Sequence, residues 1–212
     1  MIADERRCGL DEVGRGPLAG PLVAAVVIFP ADFVFADVFP KVKFGDSKKM
    51  SAHQREAVVS LIHEFALEVK VETISVDEIN NQGIGWANRT IFERLILAVD
   101  ADQYIVDGNL KLANLGRRAR KVRSVVRADQ TEQAVSAASI IAKVTRDHLM
   151  AELHDDFPVY GWNHNAGYCT REHLNAVRTY GSTIHHRRQF VTTALSRSNP
   201  MLPGFTEGRD QS

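Results

Sequence analysis

Residues 9–27 read GLDEVGRGPLAGPLVAAVV, and their pattern predicts the first two strands of a sheet. The run that closes it, PLVAAVVIF at 21–29, is apolar and rich in β-branched residues, which is typical of a strand. The segment RRCGLDEV at 6–13 predicts a strand before it, and GRGPLAG at 14–20 supplies the glycines of a turn between the two. The sequence therefore predicts a hairpin-like opening.

The next segments alternate between helices and strands. Ser51 can cap a helix whose apolar residues recur at helical spacing. LEVKVETI at 67–74 alternates as a half-buried strand does. Ser75 and Glu78 form a possible capping box before a short helix, and a longer helix is predicted over 86–98.

Two further short strands and a long helix complete the predicted layer. QYIVDGN at 103–109 and KVRSVVRAD at 121–129 are apolar strands that each end in an aspartate. The segment 131–157 predicts a helix that ends before Pro158, and its small residues permit close approach to a sheet: Ala134, Ala137, Ala138 and Ala142. This order predicts an α/β fold whose mixed sheet begins antiparallel and continues parallel.

The last part of the chain predicts helices and loops without strands. From about residue 158 we expect a helical C-terminal extension, with Thr170 capping one helix and Gly181 ending it. We expect a single catalytic domain over 1–195. The polar segment 196–212 contains two prolines and predicts a mobile tail.

Composition limits the function classes. The chain has 212 residues and balances 26 Lys and Arg against 26 Asp and Glu, so a site for a polyanion must be local. Cys8 and Cys169 are the two cysteines, and their spacing suggests neither a zinc framework nor a disulfide scaffold. No leader or membrane-spanning run is apparent, so we expect a soluble cytoplasmic protein with reduced thiols.

Four carboxylates stand where predicted strands end. Asp11 and Glu12 close the first strand, and Asp107 and Asp129 close two later ones. If these strands are neighbours in one sheet, three or four carboxylates converge at one edge and repel each other. Divalent cations relieve that repulsion, and hard oxygen ligands without Cys or His select Mg²⁺ or Mn²⁺. Two such ions about 3.5–4 Å apart can activate water and stabilise a leaving oxygen in phosphodiester hydrolysis.

Each of these acids also has a purely structural interpretation. An aspartate at a strand end commonly accepts turn hydrogen bonds, and a following glycine supplies positive φ. The joint pattern of four acids favours the metal site over four separate turns.

Several basic and glycine residues could contact phosphate. The glycines of the GRG turn at 14–16 allow backbone amides to approach a ligand, and Arg15 can reach a phosphate, although such turns are common on surfaces. Lys48 lies beside a candidate helix start, where it binds phosphate or is merely solvated. Lys143 is four residues from Asp147, so an ion pair on the helix face is as good an interpretation as a phosphate contact.

The C-terminal region adds two candidates. HHRRQF at 185–190 is interpreted as the one clearly basic patch of the chain, which favours phosphate contact, with a structural cluster at a helix start as the alternative. Tyr168, in NAGYCT, could stack on a sugar or base, or could simply pack against the loop.

Taken together these segments resemble ribonuclease HII. The resemblance runs in order from about residue 8 to 190, and its motifs are GLDEVGRGPLAGPLVAAVV, DSKK, VDGN, AD followed by SAASIIAKVTRD, GYCT and HHRRQF. The first and the SAASIIAKVTRD segment are highly specific to the family.

The resemblance implies a ribonuclease H-like fold and hydrolysis 5′ to a ribonucleotide in RNA–DNA hybrids or in duplex DNA. It implies a metal site for Mg²⁺ or Mn²⁺ at Asp11, Glu12, Asp107 and Asp129. It further implies recognition of the 2′-OH-bearing nucleotide at an RNA–DNA junction by Gly14, Arg15, Gly16 and Tyr168. Other substrate contacts are expected from Ser47, Lys48, Lys143 and Arg187. The expected protein is a monomer without membrane association.

The sequence departs from the family pattern after the long helix. Ala166 stands where a lysine usually precedes the Gly-Tyr pair, and Cys169 stands where proline is frequent. The missing lysine puts one phosphate contact in doubt and leaves the metal ligands unaffected.

Two rival functions remain open from the sequence. One is another nuclease on the same fold, such as a junction resolvase or an exonuclease, because fold does not fix function. The other is a nucleic-acid binder without catalysis, against which the four intact acids argue.

Overall fold

The computed structural model describes residues 5–38 and 50–197. Five strands form one sheet: β1 (Arg7–Val13), β2 (Leu22–Ile28), β3 (Glu68–Ile74), β4 (Gln103–Asp107) and β5 (Val122–Val125). Eight helices are seen in these residues: α1 (Phe35–Val38), α2 (Ala52–Phe65), α3 (Val76–Gln82), α4 (Ile84–Ala98), α5 (Gln133–Asp156), α6 (Trp162–Asn165), α7 (Arg171–Tyr180) and α8 (Arg188–Arg197). Short 3-10 helices span Gly116–Lys121, Ala128–Gln130 and Pro158–Tyr160.

The sheet is mixed, as the sequence predicted. Its strand order is β3-β2-β1-β4-β5, with β1–β2 and β2–β3 antiparallel and β1–β4 and β4–β5 parallel. The hairpin-like opening is confirmed by the pairing of Cys8 with Ile28 through Val13 with Val23. The parallel half places the ends of β1 and β4 at the same edge of the sheet.

Helices cover both faces of the sheet. Alternate residues of β2 point to opposite sides, so Leu22 and Ala24 pack with α3 and α4 while Val23 and Ala25 pack with α2 and α5. The predicted capping box of Ser75 with Glu78 is present, and Ser51, predicted as a cap, forms a second capping box with Gln54. The sheet therefore lies at the centre of two apolar layers.

The long helix α5 approaches the sheet closely, as its small residues predicted. Ala137, Ala138 and Ala142 are fully buried against the sheet. On the sheet side, a Cβ built on Gly9 would lie 2.2 Å from the backbone carbon of Ala134, so only glycine fits there. This contact fixes the position of α5 relative to the end of β1.

The predicted C-terminal helices are present and pack as a separate apolar cluster. Thr170 caps α7 by accepting a hydrogen bond from the His173 amide, and Gly181 ends that helix with φ 80°. Trp162 and Tyr160 stack with ring centroids 5.1 Å apart, and both are buried beside Met150 of α5. The extension is thereby attached to the C-terminal half of α5.

One predicted boundary was wrong. The strand expected over 121–129 ends at Val125, and Asp129 lies instead in the 3-10 helix Ala128–Gln130. The chain leaves the strand because Arg127 adopts the left-handed conformation, with φ 59°. The tail beyond 197, predicted to be mobile, lies outside the described residues, and within 5–38 and 50–197 no helix is long and apolar enough to cross a membrane.

Candidate active site

Three of the four predicted acids lie at the same end of the parallel strand pair. Leu10 of β1 is paired with Val106 of β4, so the next residues along the two strands are Asp11 and Asp107. Glu12 follows Asp11 and is partly exposed, whereas Asp11 is only 7% exposed. The sheet register thus brings together side chains that are almost a hundred residues apart in sequence.

Asp129 is linked to this edge through the backbone. The amide of Ala128 donates a hydrogen bond of 2.7 Å to Oδ1 of Asp107, which ties the 3-10 helix to the end of β4. Ala128 itself is fully buried against Ile105 and Val135. The neighbouring Asp129 is partly exposed, and its role as a ligand stays a prediction.

The electrostatics of the edge disfavour charge on the buried acids. Burial first, and then the neighbouring Glu12 and Asp107, raise the pKa of Asp11 to about 8, although a hydrogen bond from Ser139 of α5 acts in the opposite direction. Burial also raises the pKa of Glu12, with Arg15 opposing and Asp107 reinforcing the shift. A bound cation would reverse this situation by stabilising the carboxylates.

The carboxylates suit a hard divalent cation by their chemistry. Their donors are oxygens that are crowded at one edge and in part buried, which is what Mg²⁺ and Mn²⁺ accept. In the arrangement seen over the described parts of the chain, no three His, Cys, Asp or Glu side chains form a group already close enough to hold an ion. The carboxylates therefore fit Mg²⁺ or Mn²⁺ by their donor type and their electrostatics.

The raised pKa of Asp11 gives a prediction for stability. Protonated Asp11 stabilises the metal-free fold at low pH, and that contribution is lost as the pH rises from about 4, near the ordinary value of 3.8, to about 8. In chelator the melting temperature of Asp11→Asn should therefore exceed that of the wild type, and the difference should increase from pH 4 to pH 8. Thermal melts at pH 4, 6 and 8 would measure it, and a constant margin would contradict the assignment.

The glycine turn after β1 is held from behind by two buried arginines. Arg146 of α5 donates to the carbonyl oxygens of Pro21, Ala166 and Ala19 at 3.0, 2.9 and 3.1 Å. Arg187 donates to those of Gly20, Arg15 and Gly14, the last at 2.6 Å. Both side chains are fully buried.

The positive φ of 96° and the close packing explain glycine at position 14. A Cβ there would lie 2.4 Å from Nε of Arg146, so a side chain would displace the arginine. Gly16, in contrast, is exposed and a Cβ would meet nothing within 4 Å. Arg15 projects outward and forms a 3.4 Å ion pair with Glu12. The turn therefore has a packed rear side and an open front.

Tyr168 lies beside this turn because the C-terminal extension pairs with it. The amide of Leu18 donates a 2.8 Å hydrogen bond to the carbonyl of Gly167, and the amide of Arg187 donates one of 2.7 Å to the carbonyl of Leu18. The Tyr168 side chain is 43% exposed, with its ring centroid 5.9 Å from the Arg146 guanidinium carbon. Tyr168 therefore directly follows the residue that pairs with the segment after the glycine turn.

Comparison with known proteins decides the family. The ribonuclease HII family profile matches residues 8–193. The chain belongs to the ribonuclease HII family. The ribonuclease HII of Orientia tsutsugamushi (strain Boryong) is 40% identical over 190 residues, which cover 89% of this chain and 87% of that protein.

Solved structures agree in fold. The ribonuclease H2 of Pyrococcus horikoshii OT3 superposes with a TM-score of 0.74 at 24% identity, over 91% of this chain and 98% of that one. Bst-RNase HIII, solved in complex with Mn²⁺, superposes with a TM-score of 0.69 at 17% identity, over 93% of this chain and 71% of that one. The predicted ribonuclease H-like fold is confirmed, and the chain is a nuclease of a family that acts on RNA–DNA hybrids and depends on divalent metal.

The other residues predicted to contact substrate lie in different environments. Lys143 forms the ion pair of the structural interpretation, 2.6 Å from Asp147, and retains a partly exposed side chain. Ser47 and Lys48 lie outside the described residues. The Ala166 carbonyl accepts from Arg146, and Ala166 itself takes φ 47°, so the residue that replaces the usual lysine helps to hold the turn.

Arg187 has a structural role in this fold, and its predicted contact with substrate stays a prediction. Its side chain is fully buried and donates hydrogen bonds to backbone carbonyls, so it lies behind the turn. This arrangement matches the structural cluster that the sequence left open as the alternative interpretation of 185–190. Arg146 was missed altogether. The available signal was its spacing, because the four-residue recurrence of Ala138, Ala142, Arg146 and Met150 puts an arginine on the buried side of α5.

The bracing role of Arg187 can be tested by a conservative change. Lysine lacks the planar fork, so Arg187→Lys should leave turn carbonyls unpaired, lower the unfolding free energy by about 1–3 kcal/mol, and slow cleavage by misplacing the turn. The matched control is Arg188→Lys, at the exposed neighbouring position. Chemical denaturation and single-turnover cleavage of both variants would measure these effects, and equal behaviour would contradict the bracing role.

Proposed function

We propose that this protein hydrolyses the phosphodiester on the 5′ side of a ribonucleotide in RNA–DNA hybrids or in duplex DNA with embedded ribonucleotides. The products are a 3′-OH and a 5′-phosphate, because water attacks phosphorus, the bond to the 3′ oxygen breaks, and that oxygen takes up a proton. The cellular role that fits this chemistry is the removal of misincorporated ribonucleotides and RNA primers in the cytoplasm.

One observation carries the proposal: a turn with an exposed backbone and an exposed tyrosine lie together beside the acidic edge. Gly16 is open to solvent and Leu18 is hydrogen-bonded to Gly167, which places Tyr168 next to the turn. A ribonucleotide differs from a deoxyribonucleotide locally by its 2′-OH, which both donates and accepts hydrogen bonds. Backbone amides can donate to this hydroxyl, backbone carbonyls can accept from it, and a phenol can do either.

The acids position the reacting phosphate and water. Asp11, Glu12, Asp107 and Asp129 would hold two Mg²⁺ or Mn²⁺ ions. When bound, these ions supply Lewis-acid stabilisation of charge on the phosphate oxygens. The raised pKa of Asp11 supports this assignment, because a protein retains such a destabilised carboxylate where a function requires it.

The side chains around the acids orient the substrate. Arg15, whose side chain is mostly exposed and lies near Glu12, would bind the phosphate that flanks the cut. Tyr168 would hydrogen-bond the 2′-OH and pack its ring against the next deoxyribose, which leaves no space for a second 2′-OH there. The proposed preference is therefore a junction from RNA to DNA.

A cleavage assay with matched substrates tests the proposal. The substrates are a DNA duplex with one ribonucleotide, the same duplex without it, an RNA–DNA hybrid, and a branched all-DNA structure, each titrated with Mg²⁺ and Mn²⁺. We expect one cut 5′ to the ribonucleotide and no cut in all-DNA duplex. Preference for the branched DNA would indicate a resolvase on the same fold, and binding without cleavage at any metal concentration would indicate a binder.

A further inference from the structure

The zero net charge of this chain conceals a strongly basic segment. Between Asp107 and Asp129 the sequence contains seven cations and no carboxylate: Lys111, Arg117, Arg118, Arg120, Lys121, Arg123 and Arg127. Because the chain balances 26 cations against 26 carboxylates, the remainder carries a surplus of seven carboxylates. The interpretation of 185–190 as the one basic patch was therefore wrong.

The fold displays this segment along one edge of the sheet. The 3-10 helix Gly116–Lys121 leads into β5, which is the edge strand beside β4. Arg117, Arg120 and Arg123 are exposed, and within the described residues none of their three side chains is hydrogen-bonded or paired with a carboxylate. We call these three residues the basic edge.

Two neighbouring cations form hydrogen bonds or ion pairs within the fold, whereas the three side chains of the basic edge do not. Arg118 donates to the carbonyl of Leu97, and Lys121 donates to that of Ala101 and lies 4.0 Å from Asp102. The three arginines therefore keep their full charge and their hydrogen-bond donors for a ligand. A guanidinium presents a fork of donors that suits phosphate.

Arg123 is the member of the basic edge that lies closest to the acids, and Arg117 and Arg120 lie farther back, in the 3-10 helix before the start of β5. Arg123 is paired with Ile105 and Val125 with Asp107, so Arg123 stands two residues back from Asp107 on the adjacent strand. Two residues of strand span roughly 7 Å, which is about the length of two nucleotide steps along a duplex axis. A duplex whose scissile phosphate reaches the acids would pass its flanking phosphates near these arginines.

We propose that the basic edge binds the sugar-phosphate backbone of duplex nucleic acid that flanks the cut site, independently of base sequence and of the 2′-OH. This inference rests on the proposed function in one respect, the nucleic-acid substrate. A basic edge strand can also serve only to prevent edge-to-edge association. An acidic protein partner is a third interpretation, and the experiment separates all three.

The test measures the salt dependence of binding to a fluorescent DNA duplex of roughly 20 bp, about two turns, that contains no ribonucleotide. Fluorescence anisotropy in chelator compares the wild type with the variant Arg117→Gln, Arg120→Gln, Arg123→Gln. Each lost phosphate contact should lower the slope of log Kd against log salt by about 1. Between about 50 and 200 mM salt, wild-type affinity should then fall roughly 40-fold more than that of the variant.

The matched control removes the same charge from three cations that pair with carboxylates of β3, the opposite edge strand. Arg6, Lys70 and Arg94 are comparably exposed but already paired with Glu68, Glu68 and Glu72. Replacing these three with glutamine should leave the slope within about half a unit of the wild type. A variant with lysine at the three basic-edge positions keeps the charge and should retain most of the slope, which excludes loss of structure as the cause.

An unchanged slope in the glutamine variant overturns the proposal. If that variant instead self-associates in sedimentation, the basic edge protects the strand, and if it behaves as the wild type throughout, an acidic protein remains as its ligand. Single-turnover cleavage by the control variant at Arg6, Lys70 and Arg94 should stay within about twofold of the wild type. Failure of the wild type to cut a ribonucleotide duplex would refute the proposed function alone, because the binding assay contains no ribonucleotide.

Discussion

Replacing Asp107 with asparagine is expected to lower the single-turnover cleavage rate on the order of 1,000-fold, because several kcal/mol of stabilisation through a bound cation would be lost. Asparagine retains the Oδ1 that accepts the Ala128 amide, so the link between β4 and the 3-10 helix survives. The substitution removes one negative charge from an edge where Asp107 raises the pKa of Asp11. Metal-free stability should therefore be equal or slightly higher.

The control for this prediction is the same change at the other end of β4. Asp102→Asn removes an exposed carboxylate that accepts from the Arg6 amide, and it should leave the cleavage rate nearly unchanged. Quenched-flow cleavage in Mg²⁺, with thermal melts in chelator, measures both variants. Near-normal turnover in Asp107→Asn would remove Asp107 from the metal ligands, and a large loss of melting temperature would mean that its role is structural.

The parts of this site that the sequence predicted are those encoded by local patterns. Strand runs, capping residues and alanine spacing follow from nearest-neighbour chemistry, and they placed β1, β4 and α5 correctly. Asp11 and Asp107 could then be brought together by one further assumption, that β1 and β4 are neighbours, and the parallel register confirms that assumption.

The parts that the sequence could not provide depend on packing between distant segments. Nothing local distinguishes Arg187, a buried brace, from its exposed neighbour Arg188, because the carbonyls that receive its donors come from residues about 170 positions earlier. The end of β5 depends on the left-handed Arg127, a conformation that residue type does not favour. The seven cations between Asp107 and Asp129 are visible in the sequence as a charge run, but the position of Arg123 on β5, two residues back from Asp107, follows only from the fold.

Tyr168 is expected to determine which substrates are cut fastest. Its phenol has no hydrogen-bond partner within the described chain, and the backbone around it is held independently, with its carbonyl 2.9 Å from Nδ1 of His173 and its amide 2.8 Å from the Asn165 carbonyl. Tyr168→Phe should therefore keep the loop and lose one substrate hydrogen bond, a penalty of about 1–3 kcal/mol, or roughly 5- to 150-fold in rate.

Tyr168→Ala should lose the packing against the deoxyribose as well and cut a one-ribonucleotide duplex more slowly still. An all-RNA strand in a hybrid offers a ribose at that position, so the alanine variant should lose less activity on the hybrid than on the junction. Tyr180→Ala, at an exposed tyrosine at the end of α7, is the matched control and should change neither rate. If Tyr168 only supported the loop, Tyr168→Phe would leave the cleavage rates nearly unchanged and Tyr168→Ala would lower the melting temperature. Single-turnover rates on both substrates decide between these outcomes, because equal slowing of the two by Tyr168→Ala would show that Tyr168 does not sense the junction.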